Sequence, residues 1–455
     1  AKGEDAEARP LYDRALEITE SRLSLLDSLS EREALAYVVS VRAIVDDWLV
    51  AFPGAEHDIE AWSHILRFKG AVAARMAAAR RDNRSDPRAA ALAEELARTR
   101  RSLARLTFSI DVEDRQARLS VLSADRDRLE RELMGTAEGR KDTLVRQASP
   151  MDLCGALSED AALVDFLRYE SAHEARYVAF TFVAGTCTPA RIELGSAAPI
   201  EDAIAQWRAV LQDPTSFTTR VDARGARVTE LLWKPLEDQV GQATRLLVVP
   251  DGALTGAPLA ALPVGGGRYL FEDRAITLLD RANDVLQRTI SDVSEGALIV
   301  GGVDYDAPLS TNQSNKAALA PCNHGGFGPL PGAALESEML ARRWKKWRRG
   351  QPLVHLTGAS ATEAEVAAAA KGKAVVHLAT HGFFADDCAS VLDTGGAGFD
   401  PMVLSGLVLA GANSGADPLN TEDGILTAAE VAILDLSGTQ LVVLSACDTG
   451  LGEVR

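Results

Sequence analysis

The segments AVVHLATHG (residues 374–382) and QLVVLSACDTG (residues 440–450) decide the fold. In each segment a short apolar run leads directly into a residue with reactive chemistry, His381 in the first and Cys447 in the second. Continuous apolarity predicts strands that are covered on both faces, as in a parallel sheet. Since ligands and reactive groups collect beyond the carboxyl ends of such strands, we expect His381 and Cys447 to meet at one edge of a sheet.

The pattern around these segments predicts an α/β protein preceded by an all-α helical region. From about residue 150, apolar strand-like runs such as 177–183, 246–249 and 297–300 alternate with helical stretches, which favours a doubly wound, mostly parallel sheet. Earlier residues carry leucines at helical spacing between charged residues. The predicted regions are 1–148 (helical), 149–295 (α/β) and 296–455 (α/β with both reactive residues).

Charge argues against general nucleic-acid binding. Acidic residues exceed basic ones by 65 − 48 = 17, and such a surface repels polyanions. The local exception is the basic cluster 342–349, six Arg or Lys residues interleaved with Trp344 and Trp347. It resembles a nucleic-acid patch, but the interpretation that we favour is a solvated helix end with both Trp side chains packed inward.

Cysteine usage and hydropathy predict a cytoplasmic protein. Five cysteines are scattered singly without paired spacing, so no disulfide framework and no structural zinc site are expected. No run of eighteen apolar residues is present, and we expect no membrane span. The cysteines are Cys154, Cys187, Cys322, Cys388 and Cys447.

The candidate chemistry is nucleophilic catalysis by a thiol. A cysteine nucleophile needs a base within hydrogen-bonding reach, and neighbouring parallel strands bring together residues that lie 447 − 381 = 66 positions apart. The amides of Gly382 and Cys447 are candidates to hold an oxyanion. Two alternatives compete: each residue packs in the core, or His377 and His381 bind zinc with Cys388 and Cys447. Because the run that contains His377 reads as a strand, it does not bring the two imidazoles together as a helix turn would, and we predict no metal and no cofactor.

The two segments resemble the paired signatures of CHAT domains, which are caspase-like modules related to separase and often found after TPR repeats in bacterial proteins. Further similarity lies in 247–254 with 258–262, in 330–336 and in 423–431. The resemblance covers about residues 90 to 455. It implies a caspase-type α/β core, peptide-bond hydrolysis through a thioester, His381 as general base and acid, and Cys447 as nucleophile. Residues 149–295 would form a caspase-like half without its own dyad.

The resemblance also implies a substrate pocket and a partner. Ser445 lies two residues before the nucleophile, where relatives line the first specificity pocket, and Glu336 lies where some Arg- or Lys-cleaving relatives carry an acid; the alternative is a surface glutamate. Family members continue beyond the position of Arg455 with strands that complete the sheet. We therefore expect a second chain or segment to supply them, and we hypothesise that Arg455 is a self-processing site with basic P1 preference.

Two functions from different classes remain open at this point. The first is a regulated endopeptidase, and the second is a catalytically silent scaffold that binds protein partners. Family relatives in bacterial defence cleave protein partners, including gasdermin-like proteins, so a protein substrate of that kind and an activator bound through the helical region are the implied partners.

Overall fold

The computed structural model describes residues 2–82, 86–108, 114–136, 149–213, 215–216, 218–286, 294–308, 326–384, 402, 405–414 and 422–446. These residues form two compact units. One unit contains 2–82 and 149–286, and the other contains 86–136 and 294–446, with the gaps just given. The three consecutive regions expected from the sequence stay a prediction.

Helices are numbered in chain order. They are α1 (Lys2–Ser21), α2 (Glu31–Ala51), α3 (Asp58–Phe68), α4 (Ala71–Asp82), α5 (Pro87–Phe108), α6 (Arg115–Thr136), α7 (Pro150–Ala156), α8 (Ala197–Gln212), α9 (Thr218–Val228), α10 (Glu237–Val240), α11 (Leu270–Asp273), α12 (Pro331–Trp347), α13 (Glu363–Ala370) and α14 (Ala428–Val431).

Strands are numbered in the same way. They are β1 (Ala161–Glu170), β2 (Ala175–Val183), β3 (Ala190–Ser196), β4 (Arg245–Val249), β5 (Pro263–Gly265), β6 (Arg268–Tyr269), β7 (Ala275–Leu278), β8 (Ala297–Val303), β9 (Leu353–Gly358), β10 (Val375–Ala379), β11 (Gly382–Phe384), β12 (Ser405–Val408), β13 (Ile425–Thr427) and β14 (Leu441–Ser445).

The first unit is built on a five-stranded sheet in the order β3-β2-β1-β4-β7. β1, β4 and β7 are parallel, and β2 and β3 are antiparallel. Alternate β1 side chains enter different cores, since Val164 packs in the cluster with α8 and α9, and Leu163 packs with α2 and α3. Both faces of the sheet are therefore covered, as the continuous apolarity of its strands requires.

A local sequence signal explains where α2 begins. A capping box of Ser30 and Glu33 begins α2, where it satisfies two amides that the first turn leaves unpaired.

We expected no disulfide, but Cys154 on α7 and Cys187 after β2 form one, with their Cα atoms 5.3 Å apart. Single cysteines 33 residues apart give no spacing signal, and only the packing of α7 brings them together.

The second unit is built on a parallel four-stranded sheet in the order β14-β10-β8-β9. Ala297 and Ile299 of β8 pack against α12, whereas Leu298 and Val300 pack in a larger core with α13 and strands β12 and β13. The antiparallel sheet β11-β12-β13 follows β10 directly. This arrangement confirms the predicted α/β class with a mostly parallel sheet.

Helices α5 and α6 form a helical hairpin in the second unit. α5 and α6 pack through Ala89, Leu96, Leu129 and Leu133. An ion pair between Arg100 and Glu130, 2.8 Å long, is almost fully buried. None of the described helices is both long enough and apolar enough to cross a membrane.

The basic cluster lies at the end of α12 and differs from our expectation in one respect. Trp344 is partly buried against the sheet, as predicted. Trp347 is 69% exposed, with the Arg343 guanidinium 5.5 Å from its ring centroid. The prediction that both Trp side chains pack inward was therefore wrong for Trp347, because α12 ends there and no described element covers it.

Candidate functional site

The candidate site lies where the strand order of the parallel sheet reverses. β8 comes first in the chain, and β9 and β10 lie on opposite sides of it. Crevices at such reversals, beyond the carboxyl ends of the strands, are where open α/β sheets bind ligands. His381 comes two residues after the end of β10, so the structure places it at this position.

The imidazole of His381 is held by one hydrogen bond and two aromatic rings. Its Nε2 lies 2.8 Å from the carbonyl oxygen of Gly328. The ring centroids of Tyr305 and Phe327 are 5.1 and 5.6 Å away. Because a carbonyl oxygen can only accept, Nε2 carries the proton and donates it. In the neutral imidazole, Nδ1 is then the nitrogen with a free lone pair.

Thr380 fixes the backbone immediately before His381. Its side chain is 1% exposed, and its Oγ1 donates to the carbonyl of Val408 and accepts from the Tyr305 hydroxyl at 3.0 Å. Burial raises the pKa of that phenol above its ordinary value, so Tyr305 stays a neutral donor at physiological pH. Thr380, and with it the backbone of His381, is therefore bonded both to the segment that follows β8 and to the end of β12.

The two residues predicted to line the first specificity pocket contact each other. Ser445 Oγ donates to Glu336 Oε2 at 3.0 Å. Glu336 projects from α12, and Ser445 is the last residue of β14. The other carboxylate oxygen, Oε1, lies 3.1 Å from Nε2 of His377 on β10. One carboxylate therefore links the strand before His381 with the strand before Cys447.

Two of the predicted site residues, Cys447 and Arg455, lie outside the described part of the chain. Ser445, two residues before Cys447, pairs with Ala379, two residues before His381. Gly382 opens β11 opposite Leu407, directly beside His381.

No sequence pattern identified the groups that hold His381. A backbone carbonyl such as that of Gly328 has no sequence signature, because every residue carries one. Tyr305 lies two residues after the end of β8, and this position near a strand end was the one sequence signal that could have marked it as a site residue. Phe327 lies in a Gly- and Pro-rich stretch that indicated only a loop.

The arrangement of the histidines does not favour a shared metal. His377 faces Glu336, whereas His381 faces Gly328 and the two rings. Within the described residues, the structure contains no group of three or more His, Cys, Asp or Glu side chains placed to hold an ion.

Comparison with known proteins adds one finding. No curated protein matches the chain. The family model of the CHAT domain matches residues 222–455, which is just over half of the sequence and includes every strand of the parallel four-stranded sheet. The chain therefore belongs to the CHAT domain family.

Proposed function

We propose that this protein is a cysteine endopeptidase in which His381 and Cys447 form the catalytic pair. CHAT domains are a caspase-like cysteine peptidase family. The observation that carries the proposal is the parallel pairing of β10 with β14, in which Ala379 is aligned with Ser445. Each of these residues precedes its reactive residue by two positions, so the two side chains follow neighbouring strands at the same sheet edge.

The tautomer of His381 supports its role as a base. With Nε2 donating to Gly328, Nδ1 is free to take the proton of the Cys447 thiol. The thiolate adds to the substrate carbonyl, and the imidazolium then gives its proton to the leaving amine, which leaves a thioester. Water, deprotonated by Nδ1, hydrolyses the thioester and regenerates the thiol.

The backbone at Gly382 supports its role in holding the oxyanion. Val408 N–H donates to His381 O, so residues 381 and 408 form a hydrogen-bonded pair of the antiparallel ladder. Since such pairs alternate with non-hydrogen-bonded ones, the amide of Gly382 points away from β12. Together with the amide of Cys447, it would stabilise the tetrahedral intermediate.

The Glu336–Ser445 pair supports a preference for a basic P1 residue. A carboxylate pairs with a guanidinium through charge-assisted hydrogen bonds. Arg455 is a candidate self-processing site on the same grounds. Mass spectrometry of a version of the chain extended beyond Arg455 tests this proposal: wild type should be cut after Arg455 and Cys447→Ala should not, and a cut that persists in Cys447→Ala contradicts it.

The edge of the parallel sheet supports a partner segment beside β14. Among the described residues, β14 pairs only with β10, and its Leu441, Val442 and Leu444 side chains are 43 to 52% exposed. An apolar open edge is a template for another strand. We therefore propose that a further segment or chain covers it. A protein substrate of the gasdermin-like kind and an activator bound through the helical region complete the proposed partners.

A positional peptide-library digest tests the proposed activity. Wild type should cleave, and Cys447→Ala and His381→Ala should each lose at least about a thousandfold in kcat/KM. The control is Cys388→Ala, which removes a thiol outside both signatures and should leave cleavage intact. If no cleavage depends on Cys447 under any activating condition, and iodoacetamide labels Cys447 no faster than denatured thiols, the protein is a silent scaffold.

A further inference from the structure

His377 is a buried imidazole that faces the carboxylate of the proposed pocket. It is 7% exposed and lies in the middle of β10, on the face of the sheet that α12 covers. Its Nε2 lies 3.1 Å from Glu336 Oε1. Within the described residues, Nε2 has no aligned hydrogen bond. The two atoms are therefore in contact, although the ring N–H is not directed at the carboxylate oxygen.

Gly301 of β8 allows α12, the helix that carries Glu336, to pack unusually close to the sheet. A Cβ atom on Gly301 of β8 would lie 2.6 Å from Ser337 Cβ and 2.7 Å from the Ala333 carbonyl. Helix α12 therefore approaches the sheet at a distance that only glycine permits. This contact sets the height of Glu336 above β10 and β14, and a group held by rigid elements keeps its geometry more closely than one on a loop.

Two neighbours together orient the carboxylate of Glu336. Ser445 holds Oε2, and His377 lies against Oε1. A carboxylate has about four lone-pair sites, so both oxygens can still accept from a substrate. The side chain is 39% exposed, so a variant without the polar neighbour at residue 377 leaves Oε1 free to turn toward solvent while Ser445 still holds Oε2.

We propose that His377 is a positioning residue for substrate specificity, holding the Glu336 carboxylate toward Ser445 so that it receives a basic P1 side chain. This inference rests on the proposed peptidase function. A guanidinium binds best to a carboxylate presented in a fixed plane, and His377 is the group that fixes the plane on the buried side. The ring acts through Glu336 and contacts neither the substrate nor Cys447.

The chain offers a matched control in His355. Both His355 and His377 are aligned with Ile299 of β8, so they lie at the same level on the same face of the sheet. In both, Nε2 is buried and makes no aligned hydrogen bond among the described residues. His355, however, lies on β9, at the edge opposite β14.

The test compares His377→Leu, His377→Gln and His355→Leu in the full chain. Two peptides selected from the library digest are used, identical except for Arg or Leu at P1. His377→Leu should raise KM for the Arg peptide about tenfold, because Glu336 loses the polar neighbour that orients its Oε1, a loss on the scale of one polar contact to a charged group. It should leave kcat for the Arg peptide and kcat/KM for the Leu peptide near wild type. His377→Gln, which can donate at similar reach, should recover most of the loss, and His355→Leu should behave as wild type.

Four outcomes would overturn the inference. Equal losses on both peptides, or the same effect in His355→Leu, would show a packing role. If wild type cleaves the Arg and Leu peptides equally well, Glu336 does not bind the P1 side chain through its charge. The peptidase function would not be affected by that result. No Cys447-dependent cleavage of any peptide would end the proposed function and this inference with it. If His377→Leu does not fold, His377→Asn, which ends short of Glu336, should show the same selective loss.

Discussion

Glu363, at the start of α13, is a buried carboxyl group whose surroundings disfavour its charge. It is 8% exposed, and its Oε1 accepts from the amides of Asp423 and Gly424 at 2.9 and 2.7 Å. Burial above all, and then the nearby carboxylates of Asp423 and Glu430, raise its pKa from an ordinary 4.5 to about 9, although the two amide hydrogen bonds act in the opposite direction. At neutral pH the folded protein therefore holds Glu363 protonated, although its sequence context suggests an ordinary first-turn glutamate.

We predict that Glu363 makes the protein less stable as pH rises. Between its unfolded pKa near 4.5 and its folded pKa of about 9, the folded state binds more protons than the unfolded state. The free energy of unfolding therefore falls through that window. Glu363→Gln keeps an acceptor for both amides and cannot ionise, so its stability should depend less on pH.

Urea unfolding at several pH values between 6 and 9 measures the effect. The control is Glu365→Gln, which removes an exposed glutamate from the same helix. An unchanged pH slope in Glu363→Gln would contradict the prediction.

At the scale of elements, the strands that the sequence indicated most clearly are those with uninterrupted apolar runs. β8, β10 and β14 belong to this group, and their parallel pairing was expected. No sequence pattern indicated β1, the central strand of the first sheet. Asp165 interrupts its apolar run and is 2% exposed. Lys69 Nζ and Trp62 Nε1 satisfy it at 2.7 and 3.0 Å, from residues about a hundred positions earlier. In a sequence, a charged residue such as Asp165 predicts an exposed position, because burying it is unfavourable unless partners distant in the chain compensate its charge.

The disulfide between α7 and the segment after β2 gives a prediction at the same scale. Cross-linking residues 33 apart restricts the unfolded chain, and the loop-entropy model assigns such a link about 3 to 4 kcal/mol. We expect the oxidised protein to melt at a higher temperature than Cys154→Ser/Cys187→Ser.

Reduction should lower the melting temperature of wild type and leave that of the double variant unchanged. Alkylation of the native, non-reduced protein followed by mass spectrometry provides an independent measurement. Labelling of both thiols there would show that the bond does not form.

The whole molecule combines a strongly acidic chain with one basic surface. The net charge is −17, although six cations lie exposed between residues 342 and 349. Lys345 and Lys346 occupy the last turn of α12, where cations interact favourably with the helix dipole. The helix dipole and the salt bridge of Arg342 with Glu338 therefore explain three of the six cations, and no binding partner is needed for them.

We predict that the protein does not bind nucleic acid, because its overall charge repels a polyanion at long range. Fluorescence anisotropy with labelled single-stranded DNA and RNA at low ionic strength checks this. Saturable binding that weakens with salt and is lost in Arg348→Glu/Arg349→Glu would contradict the prediction and assign the basic cluster a function.

The sequence by itself determined the α/β class, the main strands and the position of His381 at a strand end, because these follow from apolar periodicity and local turn signals. It also indicated the CHAT family, since the two signatures are contiguous in the chain. Only the tertiary structure decided that the Gly328 carbonyl fixes the His381 tautomer, that Glu336 joins His377 to Ser445, and that Cys154 pairs with Cys187. The reason is physical: each of these contacts joins residues that are distant in the chain, and an isolated carbonyl, carboxylate or thiol carries no local record of its partner.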